Sequence, residues 1–470
     1  MEKKSGFKKV FNAFDILVLA FGAMIGWGWV VSSGSWIGAG GVVGSMIGFV
    51  IGGIMIFFVG LTYAELTTSM PKCGGEHIFS YKAFGPVGSY ICTWALILGY
   101  ISVVCFEACS LPIIIQYIYP GFLKGYMYTI SGFDVYATWL ITAVVIAIVV
   151  TYINLCGAKV AAFFQTVLTI IIAVVGILLV VASVYSGDIS NLDGQMFNNN
   201  SGMLSSILHV AVVTPFFFIG FDVVPQVAEE INIPLKKVGR LLVLSICLAV
   251  VFYVSVVFAV GLVMNKQAML NSMNTSGLVT ADAMAKAFSS SAMAKVLIIG
   301  GMCGIITSWN AFLIGGSRAI YSMAEAHMIP ALFAKLNKKG IPVNAIILIG
   351  VLSVIAPFFG KSMLTWVVNT GNFGCCLVYC IVSVSFLVLR KKQPDMERPY
   401  KVKRYKSVGI TAIIMSGFMC VMYLIPGTGT TFSMQEIVIA GGWALLGAIF
   451  YIMCKIKYKN LFAVHEETNK

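Results

Sequence analysis

The sequence predicts an all-α polytopic membrane protein of twelve transmembrane helices. They form a five-plus-five inverted repeat with discontinuous helices 1 and 6, followed by two C-terminal helices. Three observations lead there. The 470 residues are 59% apolar and 10% charged, with mean hydropathy +0.94, whereas soluble domains carry about 25% charged residues. Apolar runs of about 20 residues, long enough to cross a ~30 Å hydrocarbon core, recur along the whole chain without the alternation of a β-barrel. Two runs, one in each half, are interrupted midway by residues that a membrane helix avoids. Phe21 to Trp29 contains Gly22, Gly26 and Gly28, and Thr214 to Asp222 contains Pro215, Gly220 and Asp222.

In chain order the spans fall at 12–34, 42–67, 87–118, 135–156, 160–185, 204–230, 239–264, 293–322, 344–360, 363–389, 407–425 and 435–454. Basic residues mark the cytoplasmic side of such a chain. With the N-terminus inside, all 31 lysines and arginines fall on the cytoplasmic side except Lys124, Lys266, Lys286, Lys295 and Lys361. The cytoplasmic set includes Lys3, Lys4 and Lys470. One miscounted span would scramble this asymmetry. The +13 net charge is thus the mark of topology and of attraction to anionic inner-leaflet lipid, and it calls for no nucleic acid. The expected location is the cell membrane, multi-pass, with both termini cytoplasmic. The first apolar run is too long for a cleavable leader and has no small-residue cleavage site.

Because five spans follow each break, the second set enters the membrane from the opposite side, the condition for an inverted repeat. The expected units are a first repeat at 12–185, an external linker at 186–203 and a second repeat at 204–389. A cytoplasmic linker at 390–406 leads to the last two spans at 407–457. The long outside loop, Asn265 to Ser291, is expected to carry a short surface helix from Ala281 to Phe288.

The breaks carry the chemistry. A helix opened in hydrocarbon leaves N–H and C=O groups unpaired, which persists only where they line a cavity or bind something; paired breaks in the two halves point to a transport site. Glycines let the first break unwind and let a ligand approach the backbone, and the free N–H groups of the half-helix beyond suit a carboxylate. The same glycines equally serve close helix packing. At the second break, Pro215 removes a donor, Phe216, Phe217 and Phe218 offer an aromatic wall with Phe216 as a gate, and carbonyls from Phe217 to Ile219 are free for an ammonium. Helix is expected to resume for two turns, to Glu229, with Asp222 either a functional acid or the N-cap of that half-helix.

Intramembrane acids are functional candidates by default. Asp15, Glu65, Glu229, Glu230, Arg318 and Glu325 sit near cytoplasmic ends, within reach of water. Glu107 and Asp222 alone lie deep, with no lysine or arginine at similar depth, which implies a visiting proton, Na⁺ or cationic substrate group. Glu107 could instead be a protonated interhelical hydrogen-bonder. Thr307 and Ser308, in the run Thr307 to Asn310, could ligate Na⁺ or bond neighbouring helices; Asn369 to Asn372 carries the same ambiguity. His77, His327 and His465 lie on the cytoplasmic side and His209 near the outer end of span 6, so none is a central proton carrier. The twelve cysteines have no metal-ligand spacing and read as small apolar fillers. Gly38-Ala39-Gly40-Gly41 lies in a turn with no strand before it. Gly360-Lys361-Ser362 resembles the end of a phosphate loop, but its first glycine would fall on Ile355. No ATP-driven reading follows.

These stretches resemble the amino acid–polyamine–organocation (APC) superfamily of permeases. The resemblance runs from Asn12 to about Lys406. It rests on Gly22 to Gly28, Leu61 to Leu66, Met70 to Glu76, Ile219 to Asp222 continuing through Ala228-Glu229-Glu230 to Pro234, and Ser317 to Ala324 continuing to Ile329-Pro330. It implies the inverted-repeat fold and alternating access, with amides at Gly26 to Gly28 holding a substrate carboxylate. Carbonyls near Ala23, Met24 and Phe217 to Ile219 would hold an amine. The resemblance thus implies a substrate site at Ala23, Met24, Ile25, Gly26, Trp27, Gly28, Phe216, Phe217, Phe218, Ile219 and Gly220. The Gly220-Phe221-Asp222 run is similar to that of the cationic amino acid transporter branch. Three departures stand out. Trp27 replaces the usual small residue, so its ring either points away or narrows the pocket. Gly99 stands where that branch carries a glutamate, with Glu107 about 12 Å further along the helix. Thr169 stands where some proton-coupled members have lysine.

The expectation is a secondary transporter of an amino acid or related organic amine, without cofactor. Proton symport is preferred over Na⁺ coupling and exchange, and Glu107, Asp222, Thr307 and Ser308 are the coupling candidates. An integral membrane enzyme would need clustered catalytic groups, and a channel a polar pore ring. Neither pattern is present.

Overall fold

The computed structural model describes residues 7–198, 202–426, 431–459 and 462; Lys3, Lys4, His465 and Lys470 lie outside them. It is a helical membrane bundle. Among the described residues, ten helices are long and apolar enough to span a bilayer, and two shorter apolar ones, Met203–Phe217 and Val343–Phe359, fall where the sequence places spans 6 and 9. Large apolar side chains on the outer faces, such as Ile141, Ile148, Val174 and Ile177, are exposed, as expected where the solvent is hydrocarbon.

Span 1 begins at Ala13, where Asn12 and Asp15 form a capping box, so Asp15 has a local structural role. Helix stops at Met24 and resumes at Gly28. The chain turns into span 2 at Gly41, whose φ of 71° and whose approach to Met196 O, 2.5 Å from an added Cβ, demand glycine. Span 3 belongs to one helical run, Glu76–Ile118, broken at Gly85. Between spans 3 and 4 lies a β-hairpin, Tyr126–Ile130 with Phe133–Tyr136, that the sequence reading missed. Spans 4 and 5 are Ala137–Cys156 and Ala158–Ser186.

Span 6 departs from expectation. Helix Met203–Phe217 is followed by an opened stretch, one turn of α-helix at Val223–Gln226, and 3₁₀ geometry at Ala228–Glu230. Pro225 sits in the first turn, where a missing N–H is tolerated, and the turn ends at Val227, whose φ of −99° and ψ of 16° leave the helical region. Span 7 is Leu235–Val263, span 8 Ser291–Glu325, span 10 Met363–Lys392, and spans 11 and 12 are Tyr405–Met422 and Met434–Tyr458.

Two further expectations are corrected. The outside loop forms two helices, Lys266–Thr275 and Val279–Ala287, and the second is not a surface helix: Ala281, Ala283 and Met284 are buried. Thr280 donates to Val30 O at 3.0 Å, tying that helix to the second half of span 1. The charges placed within reach of water are partly sealed. Glu65 pairs with Arg390 at 2.6 Å and Arg398 at 3.1 Å, and Glu230 pairs with Arg318 at 2.8 Å; Glu65, Glu230 and Arg318 are all buried. Hydropathy places a residue along its span but does not show which neighbour covers it.

Candidate functional site

The two breaks meet. Gly220, with φ 140°, lies so close to span 1 that an added Cβ would stand 2.7 Å from Ala23 Cβ and 2.8 Å from Met24 N. On the far side of the crossing the Phe217 ring covers Gly28, 2.5 Å from an added Cβ there. Glycine at both positions is what lets two opened backbones cross at this depth.

Around the crossing lies a small cavity. Ala23, Met24, Gly26 and Gly28 line it from span 1, and Phe216, Phe217 and Ile219 from span 6. Glu107 and Phe106 reach it from span 3, and Ser308 from span 8. The structure therefore gathers seven of the eleven sequence-expected site residues around one space, with two of the four coupling candidates. The other four site residues turn elsewhere. Trp27 is fully buried with its ring against Gly301 of span 8, so it points away from the cavity. Ile25 is buried outside the lining, and Phe218 packs its ring on Phe49 and Tyr253, at 6.0 and 5.5 Å. Gly220 serves the crossing itself.

The freed carbonyls of the first break have partners from distant spans. Tyr253 of span 7 donates to Met24 O at 2.7 Å, and Thr307 donates to Gly22 O at 3.2 Å and Gly304 O at 3.0 Å. Asn310 bonds Asn154 and Gln165, both at 2.9 Å, joining spans 4, 5 and 8. Sequence reasoning missed Val103, Phe106, Tyr253 and Phe312, which also line the cavity. A lone aromatic in an apolar span carries no signal of direction.

Glu107 is the acidic group of the cavity. A Cβ on Gly26 would stand 2.5 Å from Glu107 Oε1 and 2.9 Å from Ser308 Cβ. The Trp27 amide and the Ser308 hydroxyl face this carboxyl, and its Oε2 is buried with no hydrogen-bond partner. Asp222 sits at the N-cap position, but its side chain does not cap the following turn. Oδ1 instead accepts from Gly220 N at 2.7 Å, and Oδ2 is buried with no hydrogen-bond partner. The capping alternative therefore fails. The unusual Gly220 backbone turns its N–H toward the Asp222 carboxylate two residues on.

A further acid completes the picture. Glu76 is fully buried and accepts from Gln226 Nε2. Near it stand the buried side chains of Tyr63, Tyr100 and Tyr379, and the Tyr63 and Tyr379 rings pack 6.0 Å apart. In sequence Glu76 stands out only as the end of the Met70 to Glu76 motif after span 2.

Comparison with known proteins agrees with this architecture. The sequence profile of the amino acid permease family matches residues 11–450. The methylthioribose transporter of Bacillus subtilis (strain 168) is 26% identical over 98% of this chain and 96% of its own length. The branched-chain amino acid permease BcaP of the same organism is 26% identical over 97% and 94%. The vacuolar cationic amino acid transporter 2 of Arabidopsis thaliana is 26% identical over 82% of this chain and 60% of its own length. With two opened helices crossing over one cavity, and a family profile spanning nearly its whole length, this multi-pass membrane transporter belongs to the amino acid permease family of the APC superfamily.

Proposed function

We propose that the chain is a secondary active transporter that moves an amino acid or related organic amine across the cytoplasmic membrane by alternating access. Both termini are cytoplasmic, and the proton is the coupling ion. The observation that carries this reading is the crossing of the two opened helices over a cavity with one acid among its lining residues. Broken backbone at membrane depth supplies polar contacts that a small solute can use. Relatives named for methylthioribose, branched-chain amino acids and cationic amino acids fit a shared scaffold whose cavity lining selects the solute.

Asp222 is the proposed proton carrier. It lies beside the break, buried, and among the described residues no lysine or arginine forms an ion pair with it. Set beside the opened backbone, its carboxyl can take up a proton when access opens to one side and release it when access opens to the other. Glu107 is the proposed counter-charge for a cationic group of the solute. A second reading is Na⁺ coupling. One observation favours it: the Thr307 hydroxyl and the carbonyls of Gly22 and Gly304 converge within 3.2 Å.

Purified protein in proteoliposomes tests both. The expected result is saturable uptake that concentrates solute under an imposed pH gradient without Na⁺. Asp222→Asn is expected to keep equilibrating uptake while losing about tenfold or more of gradient-driven accumulation. Accumulation that needs a Na⁺ gradient selects the second reading, and uptake that never saturates sinks both.

A further inference from the structure

The resemblance to amino acid permeases implies a carboxylate held by the amides of the first break. The structure places a carboxylate there already, and it belongs to the protein. Glu107 projects from span 3 onto Gly26, its Oε1 2.5 Å from where a Cβ would stand. The donors at the start of the second half of span 1, the Trp27 amide and the neighbouring Ser308 hydroxyl, face it. Only glycine at 26 admits the approach. Once an arriving ammonium ionises Glu107, a solute carboxylate in the same corner would meet a like charge at close range, in surroundings with little water to screen it.

The rest of the wall has a complementary character. Phe106, Phe216, Phe217, Tyr253 and Phe312 line the cavity, and among the described residues no lysine, arginine or histidine does. The Phe106 and Phe216 rings meet edge-on at 5.6 Å, and Phe216 and Phe217 at 5.4 Å. Tyr253 spends its hydroxyl on Met24 O and so presents its ring rather than a donor. Aromatic rings around a single carboxylate form a site for an organic ammonium, which is attracted both by the acid and by the negative ring faces.

We propose that the solute is a small organic amine without a carboxylate, its ammonium held between Glu107 and these rings. This rests on the transport reading above and narrows its substrate class. Glu107 acts as the built-in replacement for the carboxylate that an amino acid would bring.

Matched pairs differing only in that group provide the test: isopentylamine against leucine, tyramine against tyrosine, and putrescine against ornithine. Binding is measured by equilibrium titration and thermal stabilisation of the full chain in lipid nanodiscs, and uptake is measured in proteoliposomes. In at least one pair the amine is expected to bind about 30-fold or more tightly than its parent amino acid and to be taken up in preference. Glu107→Gln should weaken that amine at least about tenfold. Its unliganded melting temperature serves as the check on folding, and the wild-type comparison needs no variant at all. If the parent amino acids bind better, and Glu107→Gln keeps their binding, Glu107 is a neutral donor to a solute carboxylate and the proposal is wrong while the transport reading stands. If no amine or amino acid binds or is taken up, both fall together.

Discussion

Gly220 and Gly28 hold the two breaks against each other, but they do so with different tolerance. At Gly220 the nearest atoms include Met24 N, and the φ of 140° is one that an L side chain rarely adopts. At Gly28 the obstacle is a phenylalanine ring, which shifts more readily than main chain. Gly220→Ala is therefore expected to lower stability by about 1–3 kcal/mol through combined strain and overpacking and to abolish uptake. Gly28→Ala should cost less, and adding Phe217→Leu should recover part of the loss. Melting curves of the single and double variants decide this, and equal losses at the two glycines would contradict the crossing geometry. At this scale the sequence was informative about spacing and silent about direction. Three glycines within seven residues marked the first break. Nothing in the sequence tells that the Trp27 ring turns to Gly301, which lies in another span and packs there only once the bundle assembles.

Among elements, the strongest tie of span 8 to the end of span 6 is the buried pair Arg318–Glu230, with contacts at 2.8 and 3.2 Å. Removing one member of such a pair leaves an uncompensated buried charge, at a cost of about 3–5 kcal/mol. Arg318→Ala and Glu230→Ala should each lower the melting temperature markedly. The double variant Arg318→Met with Glu230→Leu should recover much of the loss, because both charges leave together. A double variant as unstable as either single one would show that the charges matter for something other than each other. Span positions were legible because hydropathy and charge asymmetry act over 20 residues at a time. The second half of span 6 was not, because the local turn geometry at Val227 overrides an apolar pattern that suits helix equally well. The hairpin before span 4 escaped notice too. Its alternation is only four to five residues long, and Gly132 supplies the turn.

For the whole molecule, the arrangement of basic residues makes a topological prediction. In a background lacking reactive surface thiols, a single cysteine replacing Lys338 should be labelled by an impermeant reagent only from the side that holds the termini. One replacing Lys361 should be labelled only from the opposite side. Labelling of both from one side would overturn the orientation. The bundle itself was readable from composition and run length. The site was readable in part, since the opened backbone announces itself in sequence whereas the cavity wall is assembled from spans 3, 7 and 8, whose contributing residues look like ordinary membrane aromatics.

One modest feature has reach beyond its size. The strand-like stretch before span 1 is stitched to the segment after span 6: Phe11 bridges Ile231, Val10 and Phe11 donate to Glu230 O at 2.8 and 3.0 Å, and Asn232 donates to Phe11 O at 2.9 Å. Main-chain bonds of this kind do not depend on side-chain identity, so substitution alone does not undo them. The two interrupted helices are in effect yoked at one end like the blades of a pair of tweezers. In the proposed alternating-access cycle, that seam would have to part, or both helices tilt together, before solute left on that face, and the few residues before span 1 would then help to set the rate.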